Sequence, residues 1–212
     1  MIELARIVEH QASLSSYRAT QNQARASQLE LLIELTKSKN LYHEWHGLIA
    51  TPFRYGPPPP HFQARFRPAY GKNVFYGSCI EETALHEYTY HFMKQRIHLN
   101  ISPESGLRTI FFVDANDKHS FQLIDEKNYE TIMDKNDYAA SHQFVKSNPH
   151  VTFIVYPSCR DPKRRNNAAI LDINLIDKIP KWESPIKFFY DNNRRQISWI
   201  DYDINILWDH VR

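Results

Sequence analysis

The stretch from Val74 to Ile97 constrains the fold more than any other. Val74-Phe75-Tyr76-Gly77-Ser78 is a short apolar run that reads as a buried strand, and it passes straight into a long helical pattern. Ser78-Cys79-Ile80-Glu81 fits an S-x-x-E capping box, in which hydroxyl and carboxylate satisfy free amides at a helix start. The helix is expected to reach about Ile97, with Ala84, Tyr88 and Phe92 marking one side.

Strands and helices alternate beyond it. Residues 108–113, 121–124, 151–156 and 168–171 read as strands, and helices are expected near 126–133 and 138–146. The run IKFFYDNNRRQISWID reads as a hairpin turning at Asp191-Asn192-Asn193. This alternation predicts a mixed α/β (α+β) domain around a central mixed sheet. Residues 1 to about 40 lack Gly and Pro. There Leu4, Ile7 and Val8, and again Leu29, Leu32 and Ile33, fall at i, i+3, i+4, which reads as helix. The chain thus divides into a helical N-terminal extension, 1–45, and a main domain, 46–212. A loop spans about 38–47, and Pro57 to Pro60 read as a stiff spacer.

Composition removes several function classes. A chain of 212 residues buries a core without staples. A net charge of +2 gives no ground for nucleic-acid binding. Cys79 and Cys159 cannot make a disulfide framework, so a reducing, cytoplasmic setting is expected. The opening MIELARIVEHQ has no signal-type apolar core, and no run of ~18 apolar residues predicts a membrane span.

Metal and nucleophile motifs also fall away. His86 and His91 are five apart, about 140° around a helix, whereas a zinc protease needs two histidines four apart on one face. His43 and His46 lack further ligands nearby and read as solvent-exposed. No metal is expected. The G-x-S-x-G elbow, G-x-G-x-x-G and the Walker pattern are all absent. Any grip on phosphate must come from side chains, chiefly arginines.

One ordered series remains. Phe53-Arg54-Tyr55, Ala64-Arg65-Phe66-Arg67-Pro68, Val74 to Ser78, Glu82-Thr83-Ala84-Leu85-His86-Glu87 and Tyr156-Pro157-Ser158-Cys159-Arg160 follow one another. The series resembles the RES domain, named for its Arg, Glu and Ser, over roughly residues 52–171. Carried over by position, the resemblance implies Arg65, Glu87 and Ser158 as catalytic residues. It implies Arg54, Tyr55 and Tyr76 as NAD⁺ contacts. The sequence departs from the pattern at Ala64, where the family often has glycine. It departs again at Phe66 and Arg67, where Trp and Asn are frequent, so Arg67 competes with Arg65 for the motif role.

The resemblance further implies a fold like the ADP-ribosyltransferase toxins, with NAD⁺ as substrate. It implies a bacterial toxin paired with an Xre-type antitoxin, and the helical extension offers a surface for that partner or for a homodimer. The chemistry is consistent. Cleavage at the nicotinamide ribose passes through an oxocarbenium-like state and releases neutral nicotinamide, so a carboxylate that stabilises the cation matters more than a general acid. Guanidinium groups suit the pyrophosphate, and a tyrosine face suits the nicotinamide ring. Two rivals stand beside NAD⁺ degradation: ADP-ribosyl transfer to a protein, and an inactive RES-like binding module.

Overall fold

The computed structural model describes residues 1–10, 42–99, 102–125 and 127–212, with single positions 24, 25, 28 and 32 between the first two stretches. Among the described residues, nine strands form one sheet in the order β4-β5-β6-β2-β1-β3-β7-β8-β9. They are β1 (Ile2–Glu9), β2 (Phe75–Ser78), β3 (Glu104–Ala115), β4 (Phe121–Gln122), β5 (Phe153–Pro157), β6 (Asn166–Ile170), β7 (Trp182–Asp191), β8 (Gln196–Trp199) and β9 (Ile204–Leu207). Among the described residues only β4 and β5 pair in parallel, so the sheet is mixed, as expected. The described helices of four or more residues are α1 (Gly47–Arg54), α2 (Glu81–Arg96), α3 (Tyr129–Ile132), α4 (Ala139–Ser147) and α5 (Trp208–Val211).

The helical reading of the first residues is corrected. Residues 2–9 form β1, at the middle of the sheet, paired with β3 from Ile2↔Ala115 to Glu9↔Arg108. Both faces of β1 are covered. Leu4 packs with Leu48, Ile49 and Phe53 of α1, while Ala5 and Ile7 pack with Ala84, Leu85 and Met93 of α2. β1 is apolar at five of its eight positions, spread over both faces, so Leu4, Ile7 and Val8 satisfy a helical spacing by accident. Positions 24, 25, 28 and 32 are helical, and the rest of the expected N-terminal helix lies outside the described residues.

Two smaller readings also change. Residues 47–54, read as following a loop, form α1 despite Pro52 inside it. The hairpin turn falls at residues 192–195, because Asp191 still pairs with Gln196. The Asp191 carboxylate accepts from the amides of Asn193 and Arg194.

The sheet opens between β1 and β2. These neighbours share a single register pair, Ala5↔Ser78. Gly77 sits at this seam, where an added Cβ would lie 3.0 Å from Leu4 Cβ and 3.3 Å from the Phe75 ring. Gly77→Ala is expected to cost about 1–3 kcal/mol by overpacking, read from the shift of a denaturation midpoint.

Candidate active site

A cavity of about 440 Å³ occupies the seam. β1 contributes Arg6, β2 contributes Tyr76 and Ser78, α2 contributes Glu87, β6 contributes Asn167, and the segment after the short helical turn Pro60–Phe62 contributes Arg65 and Arg67. The antiparallel order β6-β2-β1 brings together residues that are far apart in the chain.

Glu87 is held from two sides. Ser158 Oγ and Asn167 Nδ2 each donate to Glu87 Oε1 at 2.6 Å. Ser158, fully buried just beyond β5, accepts from the amides of Arg160 and Asp161 at 3.0 and 2.9 Å. Its lone pairs are therefore engaged and its proton is committed to the carboxylate. That arrangement makes Ser158 a donor to Glu87 rather than a nucleophile. The capping box is not formed: Ser78 donates to Asn167 Oδ1, and α2 starts behind Ile80 without a side-chain cap.

The three arginines differ in what they have free. Arg65 is buried, with Nη1 donating to Ile132 O at 2.9 Å, Nη2 reaching Cys159 Sγ at 3.5 Å, and its guanidinium 5.2 Å over the Tyr138 ring. Arg67 donates through Nη2 to Phe62 O at 2.7 Å, while its Nε is buried without a hydrogen-bond partner. Arg6 lies 4.8 Å over the Phe75 ring, and its Nη1 is likewise buried and unpartnered. Burial first, and then repulsion from Arg67, holds the Arg6 guanidinium down to about 10. Buried unsatisfied donors on cations are costly, and when they face one cavity they point to an anion.

Tyr76 lines the cavity, with its hydroxyl oxygen accepting from Phe66 N at 3.3 Å. Burial pushes the phenol up to about 12, so it stays neutral at physiological pH.

The family model of the RES domain matches residues 40–190. The chain belongs to the RES domain family. No curated protein matches it. The RES domain is a toxin-related family that uses NAD, and among the described residues no helix is long and apolar enough to cross a membrane.

Within this RES domain the expected site residues separate into two groups. Arg65, Tyr76 and Glu87 line the cavity, and Ser158 meets it through Glu87. Arg54 and Tyr55 do not line it. They close α1, with Tyr55 exposed and its carbonyl accepting from Asn73. Arg6, which precedes the matched residues, stands in the cavity instead. Reading β1 as helix hid it; the visible signal was a lone cation within an apolar strand. Asn167 was missed as well, because its nearness to Glu87 arises from pairing between β2 and β6.

A buried acidic group anchors the loop that carries Ser158. Asp161 accepts from Thr83 Oγ1 at 2.7 Å, Arg165 Nε at 2.6 Å and Lys163 N at 2.9 Å; Arg165 also pairs with Glu82. Burial alone would raise the Asp161 carboxyl, but Arg165, Thr83 and the Lys163 amide outweigh it and hold the group below its ordinary value. A depressed carboxyl stabilises the fold above its unfolded value of about 3.9 and loses that contribution as pH falls through the folded value. Asp161→Asn is expected to cost about 3 kcal/mol at pH 7. The gap from the parent, measured by denaturation, should begin to narrow below about pH 4 and close only once the pH has fallen past the depressed folded value.

Proposed function

We propose that the protein cleaves the nicotinamide–ribose bond of NAD⁺, as a glycohydrolase or phosphorylase. The observation that carries this reading is one carboxylate, fixed by two donors, in the same cavity as guanidinium groups with unpartnered buried donors. The bond from the anomeric carbon to the nicotinamide nitrogen breaks heterolytically, its electron pair leaves with nicotinamide, positive charge develops on the ribose, and water (which then loses a proton) or phosphate bonds to that carbon. Glu87 stabilises that charge and takes a ribose hydroxyl, with Oε1 already held by Ser158 and Asn167. Arg6 and Arg67 take the pyrophosphate, and Arg65 braces that wall. Tyr76 presents a ring to the nicotinamide. Excluding bulk water strengthens each of these interactions.

Loss of NAD⁺ would make the protein a toxin, held in check by an Xre-type antitoxin. Purified protein incubated with NAD⁺, with and without phosphate, is expected to release nicotinamide, together with ADP-ribose or its 1″-phosphate. Intact NAD⁺ after prolonged incubation would overturn the reading. Label from NAD⁺ on a protein would replace it with ADP-ribosyl transfer.

A further inference from the structure

We propose that Asn167, oriented by Ser78, is a positioning residue that fixes the Glu87 carboxylate for the reaction; this rests on the reading of Glu87 given above. Asn167 and Ser78 are direct cross-strand partners on β6 and β2, and both are buried. On its other side Asn167 pairs with Tyr156 of β5. The residue thus stands on paired backbone from both neighbours, a rigid platform for a side chain.

The chemistry decides which way the amide faces. A carboxylate only accepts, so the edge toward Glu87 must be the NH₂ group. The amide oxygen then faces Ser78, whose hydroxyl donates to it at 2.7 Å. Ser78 therefore locks the amide against a flip that would set two acceptors against each other. Ser158 alone would leave the Glu87 side chain free to swing about one hydrogen bond. The second donor, arriving from another strand, removes that freedom and, among the described residues, leaves Oε2 as the oxygen without a donor.

Asn167→Leu is expected to lower kcat about 10–100-fold with KM nearly unchanged, as for other groups that orient a reacting side chain. Ser78→Ala should lower kcat less, by about fivefold. Asn167→Asp sets a second carboxylate against Glu87, so activity should fail at a higher pH on the acidic side than in the parent. A residue that merely supports the fold would lower stability without this split or this pH shift.

A second measurement needs no NAD⁺. In ¹⁵N-labelled protein, the Asn167 side-chain amide signal is expected to move in Glu87→Gln and in Ser78→Ala. An amide signal indifferent to both substitutions overturns the inference. So does wild-type kcat in both Asn167→Leu and Ser78→Ala. Should Asn167→Leu fail to fold, Ser78→Ala and the amide signal decide. A parent protein that leaves NAD⁺ intact overturns the proposed function, and the amide signal then decides the Asn167–Glu87 link by itself.

Discussion

Glu87→Gln is expected to lower the rate of NAD⁺ loss by about 10³-fold, the scale at which a site loses a preorganised electrostatic partner of its transition state. The substitution preserves shape and volume. Its amide oxygen can still accept from Ser158 and Asn167, which now converge on Glu87 Oε1. The NH₂ group then points where the second carboxylate oxygen stood, offering a donor and no negative charge to a cationic ribose. Binding should suffer little, because the guanidinium groups remain. The melting temperature should hold within a few degrees, since Glu87 is only partly buried. NAD⁺ loss at the parent rate in this variant would remove Glu87 from the mechanism.

Arg6→Met separates stability from function in the opposite sense. The Arg6 guanidinium is buried beside Arg67 with Nη1 unpartnered, and burial, then repulsion from Arg67, disfavours its charged form and lowers its pKa to about 10. The proton remains bound at neutral pH, so the fold carries that cost throughout the physiological range and is relieved of it only above about pH 10. Methionine fills similar volume without charge, and the empty protein should gain about 1–2 kcal/mol. Removing one partner of a buried charge pair with phosphate costs about 2–5 kcal/mol, or about 30- to 5000-fold in kcat/KM. Melting curves with and without NAD⁺ check both halves: the variant should melt higher when empty and gain less from ligand. A destabilised variant with unchanged kcat/KM would reject an anion site at Arg6.

Much of the fold was legible because its signals are local. β2 running into α2 shows as an apolar run followed by helical spacing, and the β7–β8 hairpin shows as two strand patterns around Asn-rich turn residues. β1 was not legible, since burial on both faces erases the alternation that marks a strand. α1 was hidden by Pro52 and by the glycines and prolines around it, which punctuate like a loop. The site divides along the same line. Arg65, Tyr76, Glu87 and Ser158 were named from their order in the chain, which the family resemblance supplies, and the fold brings them to one cavity. Arg54 and Tyr55 were drawn in by the same order, but their positions at the end of α1 leave them off the cavity wall. Arg6 and Asn167 belong to the cavity only because β1 and β6 flank β2, and strand order is a long-range property that no local pattern records.

The central place of β1 has a consequence for how the molecule is made. Its residues are synthesised well before their partners, which lie about a hundred positions later, from Ile2↔Ala115 to Glu9↔Arg108. Closing so large a loop is slow, and folds dominated by such distant pairings take longer to reach their native state. The cavity waits longer still, because Ser158 and Asn167 leave the ribosome after both β1 and β3. A nascent chain therefore holds Arg6 and Glu87 well before it holds Ser158 and Asn167, the two groups that donate to Glu87.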